Sequence, residues 1–207
     1  RRVLIARALG FNPVILILDE PLAGLDAKAR RQLNATIDHI SKTITILCSY
    51  HVTIDLPKSI NRVLRLDKGH VVESGEFFPT LPTLTETVAA TISIELDQKT
   101  GTTTTNDSAI IDIKNADIWL DERHTLTDIT WQLLEGEHWQ VTGSNGAGKT
   151  TFLRMLHGQL RPAVGGSINF PGIENPENIW ILRQQIAWVS PELQADYWYP
   201  STARQCI

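Results

Sequence analysis

The chain is poor in the residues that define several broad protein classes. Its 207 residues contain two cysteines, Cys48 and Cys206, too few for a zinc cluster or a disulfide framework, so both read as small buried side chains in a reducing compartment. Apolar runs such as Val14 to Leu18 fall far short of the roughly 20 residues that span a bilayer, and the first residues do not read as a secretory leader. Positive charge is not in excess: 19 Lys and Arg stand against 23 Asp and Glu, a formal net charge of −4. No global field therefore draws the chain to nucleic acid or anionic lipid, and no direct nucleic-acid partner is expected. Methionine occurs once, at Met155, so the sequence reads as a fragment or processed product without its own translation start. What is abundant is apolar surface, at 42% of residues, enough for a sizeable core and too much for disorder.

Strand and helix patterns alternate along the chain. RRVLIARALG spaces Val3, Leu4, Ile5 and Leu9 as a helix ending on a glycine. VILILDE sets five branched aliphatics before Asp19 and Glu20, the pattern of a parallel strand buried on both faces with two carboxylates at its carboxyl end. Ala29, Leu33, Ile37 and Ile40 follow the helical period, with Asp26 placed to cap the first turn. TITILCS is a second buried strand, and RVLRLDKGHVVESG reads as two short strands about a Lys-Gly turn. Residues 79–108, with short Pro/Thr phrases, an apolar patch at Val88 to Ile94 and TGTTTTNDS, read as a linker. Beyond it IIDIKNADIWL and LTDITWQLLEGEHWQVTG alternate as strands, followed by a glycine-rich loop, a helix from about Thr150 and the strand IAWVS.

The glycine-rich loop is the most specific motif. Gly143, Ser144, Asn145, Gly146, Ala147, Gly148, Lys149, Thr150 and Thr151 match GxxxxGK[ST] between a strand and a helix, which a chain of this length would match by chance on the order of 1% of the time. Glycines let backbone N–H groups turn inward around phosphate oxygens, the helix N-terminus adds its partial positive charge, and Lys149 brings an ammonium to the β- and γ-phosphates. Thr150 is the hydroxyl placed for Mg²⁺.

ILILDEPLAGLD, followed 32 residues after Asp19 by His51 at the end of TILCSYH, is similar to the ATP-binding cassette (ABC) ATPase family. The resemblance implies an α/β P-loop NTPase fold, ATP and Mg²⁺ as ligands, and roles residue by residue: Asp19 in the Mg²⁺ shell, Glu20 polarising the attacking water, Asp26 contacting a partner domain, His51 sensing the γ-phosphate. RRVLIARAL resembles the helix that follows the family's signature. Trp119 is the candidate for stacking on adenine, with a core-facing strand position as its alternative, because Leu120 aligns with the usual tyrosine. IAWVSPELQADY resembles the segment carrying a Mg²⁺-coupled glutamine, but Pro191 stands at that place, with Glu192 or Gln194 as substitutes. Core packing is the expected use of Trp131, Trp139, Trp180 and Trp188.

Taken in order, the resemblance gives the back half of one cassette at 1–78, a linker at 79–108, and the front half of a second cassette at 109–207, and thus two incomplete cassettes. The linker lacks the long charged helix of the translation-factor branch, and SNGAGKTT, GEHWQVTG and VSPELQADY look like the tandem ATP-binding proteins of the ModF type, associated with molybdate transport and sometimes labelled photorepair proteins. This implies a cytoplasmic ATPase, peripheral at the membrane where it meets a permease, with a second ABC domain in the same chain as partner. The non-hydrolysing regulatory module and the ribosome-associated ATPase are the alternatives. Because Asp19 and Lys149 come from different halves, they are expected in different nucleotide sites, with no complete catalytic site and at most weak ATP binding in this piece.

Overall fold

The computed structural model describes residues 2–50, 56–77 and 108–191. The expected linker therefore lies almost wholly outside the described residues, as do His51, Glu192, Gln194 and Cys206. The helix α1 (Arg2–Leu9) leads into β1 (Ile15–Leu18), then α2 (Ala27–Ile40), β2 (Thr45–Ser49), and the hairpin β3 (Arg62–Asp67) and β4 (His70–Glu76). Downstream follow β5 (Ala109–Leu120), β6 (Arg123–Leu134), β7 (Trp139–Thr142), α3 (Lys149–Leu156), β8 (Ser167–Asn169), α4 (Ile179–Gln185) and β9 (Ile186–Val189).

Every residue of β1 and β2 is buried, as aliphatic runs without alternation require of strands covered on both faces. Helix α2 forms where the sequence places it. The Asp26 side chain accepts the Ala29 N–H at 2.7 Å, satisfying one of the first-turn donors that the helix cannot pair internally. Leu33, Ile37 and Ile40 form its buried face. Lys68 and Gly69, both at positive φ, make the expected hairpin turn.

The two segments share one sheet. Its order is β4-β3-β7-β2-β1-β9, so β7 from downstream lies between two upstream strands and β9 closes the far side of β1. Pairing is parallel throughout except for β3 with β4. Trp139 sits opposite both Leu47 and Arg62, and Leu18 opposite Val189. The physical reason is that β7 and β1 are apolar strands whose bare edges must be paired or covered, and the edges available within this chain belong to the other segment. Side chains bind the amino-terminal ends of the strands as well: Arg62 Nε lies 2.8 Å from Glu137 Oε1, and the His138 N–H donates to Asn61 Oδ1 at 2.8 Å.

One face of this sheet is covered by α1 and α2 over Leu16, Leu18, Ile46 and Cys48. On the other, α3 and the antiparallel sheet β6-β5-β8 enclose Ile15, Ile17, Leu47, Leu64, Trp131, Trp139 and Phe152. Trp131 packs edge-on against both Trp139 and Phe152, with ring centroids 5.2 and 5.3 Å apart. Trp180 departs from its expected core role: it is 75% exposed, because Asn178 caps the first turn of α4 and turns Leu182 rather than Trp180 inward. Among the described residues no helix is long and apolar enough to cross a membrane.

Candidate nucleotide site

Parallel strands that end at one edge of a sheet bring their following loops together there. At this edge the loop after β7, the acidic pair after β1 and Ser49 at the end of β2 meet. Residues 143–148 leave β7 and enter α3 through backbone that only glycine adopts easily. Gly143 has φ +148, and a Cβ added to it would lie 2.3 Å from the carbonyl oxygen of Leu66 on β3. Gly146 and Gly148 also have positive φ, while Ser144 and Asn145 are exposed and Ala147 is buried. Thr150 and Thr151 occupy the first turn of α3, Thr151 buried and Thr150 half-buried.

Lys149 is only 6% exposed. Its ammonium donates to the carbonyl oxygens of Gly143 and Ser144 at 2.9 and 3.0 Å, so it is held across the mouth of the loop. Burial lowers its pKa below the ordinary lysine value, and the carboxylates of Glu20 and Asp19 pull it back up. The same interaction places the acidic pair: both carboxylates act on Lys149.

Asp19 is buried, and its Oδ1 accepts a short hydrogen bond from the Ser49 hydroxyl. The Ser49 oxygen accepts the Glu20 N–H at 2.8 Å, and the Asp19 N–H donates to Val189 on β9 at 2.9 Å. Ser49 thus fixes both acidic residues, a role not visible in the sequence because a serine ending a strand has no distinctive pattern. Glu20 has φ 46, a left-handed conformation uncommon for a residue with a Cβ. Asp19 and Lys149, expected in different nucleotide sites, stand at one edge of one sheet, with β7 between β3 and β2 and β1 on the far side of β2.

Trp119 is not core-facing. It is 56% exposed near the tip of the β5–β6 hairpin, stacked on His124 with centroids 4.4 Å apart and planes 1° from parallel. Asp117 holds the histidine, its Oδ1 lying 2.8 Å from Nε2. The Asp128 N–H and then the His124 contact lower the Asp117 pKa. The hairpin reaches the loop through Leu126, whose Cδ2 would lie 2.7 Å from a Cβ on Gly148. Leu120, the alternative at this position, is half-buried against the core. Asp26 is occupied as the cap of α2 and exposed. Pro191 follows Ser190 after β9, and His51 lies outside the described residues.

Asp19 and Thr150 are hard oxygen donors beside a cationic loop, the donor type that Mg²⁺ prefers. When bound, Mg²⁺ would neutralise charge on the β- and γ-phosphate oxygens. The remaining work belongs to the chain: backbone N–H groups and Lys149 hold phosphate oxygens, and the Glu20 carboxylate can accept a proton.

Residues 126–203 match the ABC transporter family. The fold is that of a P-loop NTPase of the ABC ATPase type. The chain is 28% identical over 219 residues to the ABC transporter ATP-binding protein ModF of Escherichia coli, an alignment covering all of this chain and 44% of that protein. It is 29% identical to an uncharacterized ABC transporter ATP-binding protein of Schizosaccharomyces pombe, over 93% of this chain and 40% of the relative. A putative ABC transporter ATP-binding protein of Methanosarcina acetivorans is 31% identical, over 93% of this chain and 37% of the relative. The chain thus spans less than half the length of these curated relatives. The family match lies within the downstream segment, and the acidic strand of the upstream segment shares one sheet with the phosphate-loop strand.

Proposed function

We propose that the chain binds ATP with Mg²⁺ at the loop 143–151, and that the longer protein to which it corresponds hydrolyses ATP as a tandem ABC ATPase serving a transport system. The observation that supports this most is the loop itself: a GxxxxGK[ST] turn between a buried strand and a helix, with Lys149 held across its mouth and facing two carboxylates. Hydrolysis would proceed by in-line attack of water on the γ-phosphorus. The bond from phosphorus to the β,γ-bridging oxygen breaks, ADP leaves, and a Glu20-type carboxylate orients the water and receives its proton. Lys149 and the loop N–H groups stabilise the charge that builds on the phosphoryl oxygens.

Molybdate uptake is the transport system suggested by the likeness to ModF-type proteins, with a membrane permease as coupling partner and the cytoplasmic side of the membrane as location. Trp119 is assigned to adenine, its free face offering an aromatic surface at the end of the hairpin that adjoins the loop. Asp26 is assigned to contact with the second cassette, and His51 to the γ-phosphate. A second reading, nucleotide binding without turnover, is favoured by Pro191 at the end of β9, since proline offers no side-chain ligand where the family uses glutamine.

The test is Glu20→Gln in the longer protein, with bound ATP measured by calorimetry and phosphate release measured at steady state. A turnover enzyme keeps ATP within about threefold and loses phosphate release by about 100-fold or more. An unchanged, negligible phosphate release in both proteins favours the binding module.

A further inference from the structure

We propose that Asn145 is a covalent modification site: its side-chain amide is lost by attack of the Gly146 nitrogen, and the aspartate or isoaspartate left after hydrolysis closes the loop to polyphosphate. The covalent step stands on the geometry of the turn alone, while its effect on ligand rests on the nucleotide reading of the loop.

Asparagine is among the thermolabile side chains, most so before glycine, whose missing Cβ leaves its nitrogen open to attack. Asn145-Gly146 is the one Asn-Gly pair in the sequence. The Ala147 N–H donates to the Ser144 carbonyl oxygen at 3.1 Å, so the pair forms the centre of a turn, with Gly146 at φ +77, a left-handed value that glycine adopts without strain. Both residues are exposed, and a Cβ added to Gly146 would meet nothing within 4 Å, so water and base reach the peptide nitrogen. Among the described residues neither the Asn145 amide nor the Gly146 N–H has a hydrogen-bond partner. The electrophile is free to rotate and the nucleophile is unprotected. The other described asparagines are each held back. Asn12 and Asn175 precede prolines, which have no N–H to deprotonate. Asn34 is buried in α2, and the side chains of Asn61, Asn115 and Asn178 are hydrogen-bonded to His138, Asp128 and Trp180. Asn169 lies in β8 before the bulky Phe170. The chemistry needs only water. The Gly146 nitrogen bonds to Asn145 Cγ, the bond from Cγ to Nδ2 breaks, and ammonia leaves with the proton, giving a cyclic succinimide. Water opens the ring at Cγ to give aspartate, or at the backbone carbonyl carbon to give isoaspartate, and either product carries a new carboxylate. Negative charge develops during cyclisation close to the start of α3 and to Lys149, whose ammonium lies 3.0 Å from the Ser144 carbonyl oxygen, the same cationic surroundings that suit phosphate. Polyphosphate held by the loop N–H groups would protect the turn, and a carboxylate formed there repels it.

The experiment incubates the 207-residue chain at mildly alkaline pH in three states: folded, folded with Mg²⁺ and ATP, and unfolded in urea. Peptide mass spectrometry follows every asparagine, and isoaspartate is measured by enzymatic methylation. In the folded chain the Asn145 amide should be lost at least about tenfold faster than that of any other described asparagine, and Mg²⁺ with ATP should slow this loss by about tenfold or more. Calorimetry with ATP then compares the chain before and after incubation, Asn145→Asp, and Asn145→Gln before and after incubation. Incubation and Asn145→Asp should each weaken binding by about tenfold or more, whereas the affinity of Asn145→Gln should not fall further on incubation. An Asn145 amide that survives in the folded chain, conversion that bound ATP does not slow, or conversion that leaves ATP affinity unaltered would overturn the proposal and leave the nucleotide reading standing. No ATP binding by the fresh chain overturns the nucleotide reading and the effect on ligand with it, while the mass measurement still decides the covalent step.

Discussion

Residues 2–77 bring four of the six strands of the main sheet and no phosphate loop; residues 108–191 bring the loop, all of the antiparallel sheet, and only two strands of the main one. The upstream segment is thus rich in sheet and acid, and the downstream one in cation and cover. Their cores divide in the same way. Under α1 and α2 nearly every buried side chain is upstream, joined only by Ala187 and Val189. The opposite core is mostly downstream, with Ile15, Ile17, Leu47, Leu64 and Leu66 as its floor. Strands β1 and β2 belong to both cores because their side chains alternate between them. A strand with two apolar faces cannot be stable in a segment that covers only one, so neither segment is expected to hold its native form without the other.

The largest expected effect follows from this shared floor. Ile17→Ala removes a fully buried side chain opposite Trp188 and should cost about 2–5 kcal/mol. All six tryptophans lie downstream, so fluorescence-monitored denaturation reports on that segment alone. A mutation upstream that shifts the tryptophan transition shows one cooperative unit, and an unchanged transition would break the comparison. Gly69→Ala comes next. Its φ of +83 and the 2.3 Å approach of its Cβ to the Thr125 carbonyl oxygen predict a loss of about 1–3 kcal/mol, read as a lower melting temperature together with weaker ATP binding.

A comparable effect is reached with acid. Burial first, and then Arg183, push the His157 pKa down to about 4. The imidazole is therefore neutral in the fold, while the unfolded chain takes up its proton near 6.5. The unfolded state binds more protons in that interval, so stability is lost as pH falls from about 6.5 to about 4, by on the order of 2–3 kcal/mol. Urea titrations at several pH values should show this slope, and His157→Gln should flatten it. The smallest effect is Asp26→Ala, which removes the cap of α2 at a cost of about 1 kcal/mol. Because α2 covers only the upstream core, hydrogen exchange should rise in its first turn with little change in α3.

Much of the site was legible because its residues are constrained locally. Three glycines and a lysine at fixed spacing specify a loop without knowledge of the rest, and five aliphatics before two acids specify a buried strand and what stands at its end. Asp26 was legible as a cap because the helical period begins immediately after it. Strand neighbours were not legible. The run ILIL says that β1 is covered on both sides but not that β9 lies at its edge, and WQVT is too short to announce that β7 sits inside a sheet made by residues far upstream. Hence the acidic pair and the loop were each recognised while their meeting was missed. Ser49 and the His124–Asp117 pair escaped for the same reason, as each acts through a contact distant in sequence or across a hairpin. Trp180 was misjudged because a tryptophan in an amphipathic context gives no sign of which side of the helix its cap will turn outward.

The pairing of β1 with β9 also bears on how the molecule comes into being. On the ribosome the acidic strand is made well before residues 186–189, which pair with its outer edge in this fold. Throughout that interval a fully apolar strand waits with an open edge, the condition under which nascent chains associate wrongly or engage chaperones. Since the closing contacts are among the most distant in sequence among the described residues, folding should be slow and late rather than progressive. The carboxylates that face the phosphate loop are synthesised before it, yet β1 gains its last neighbour only when β9 is made.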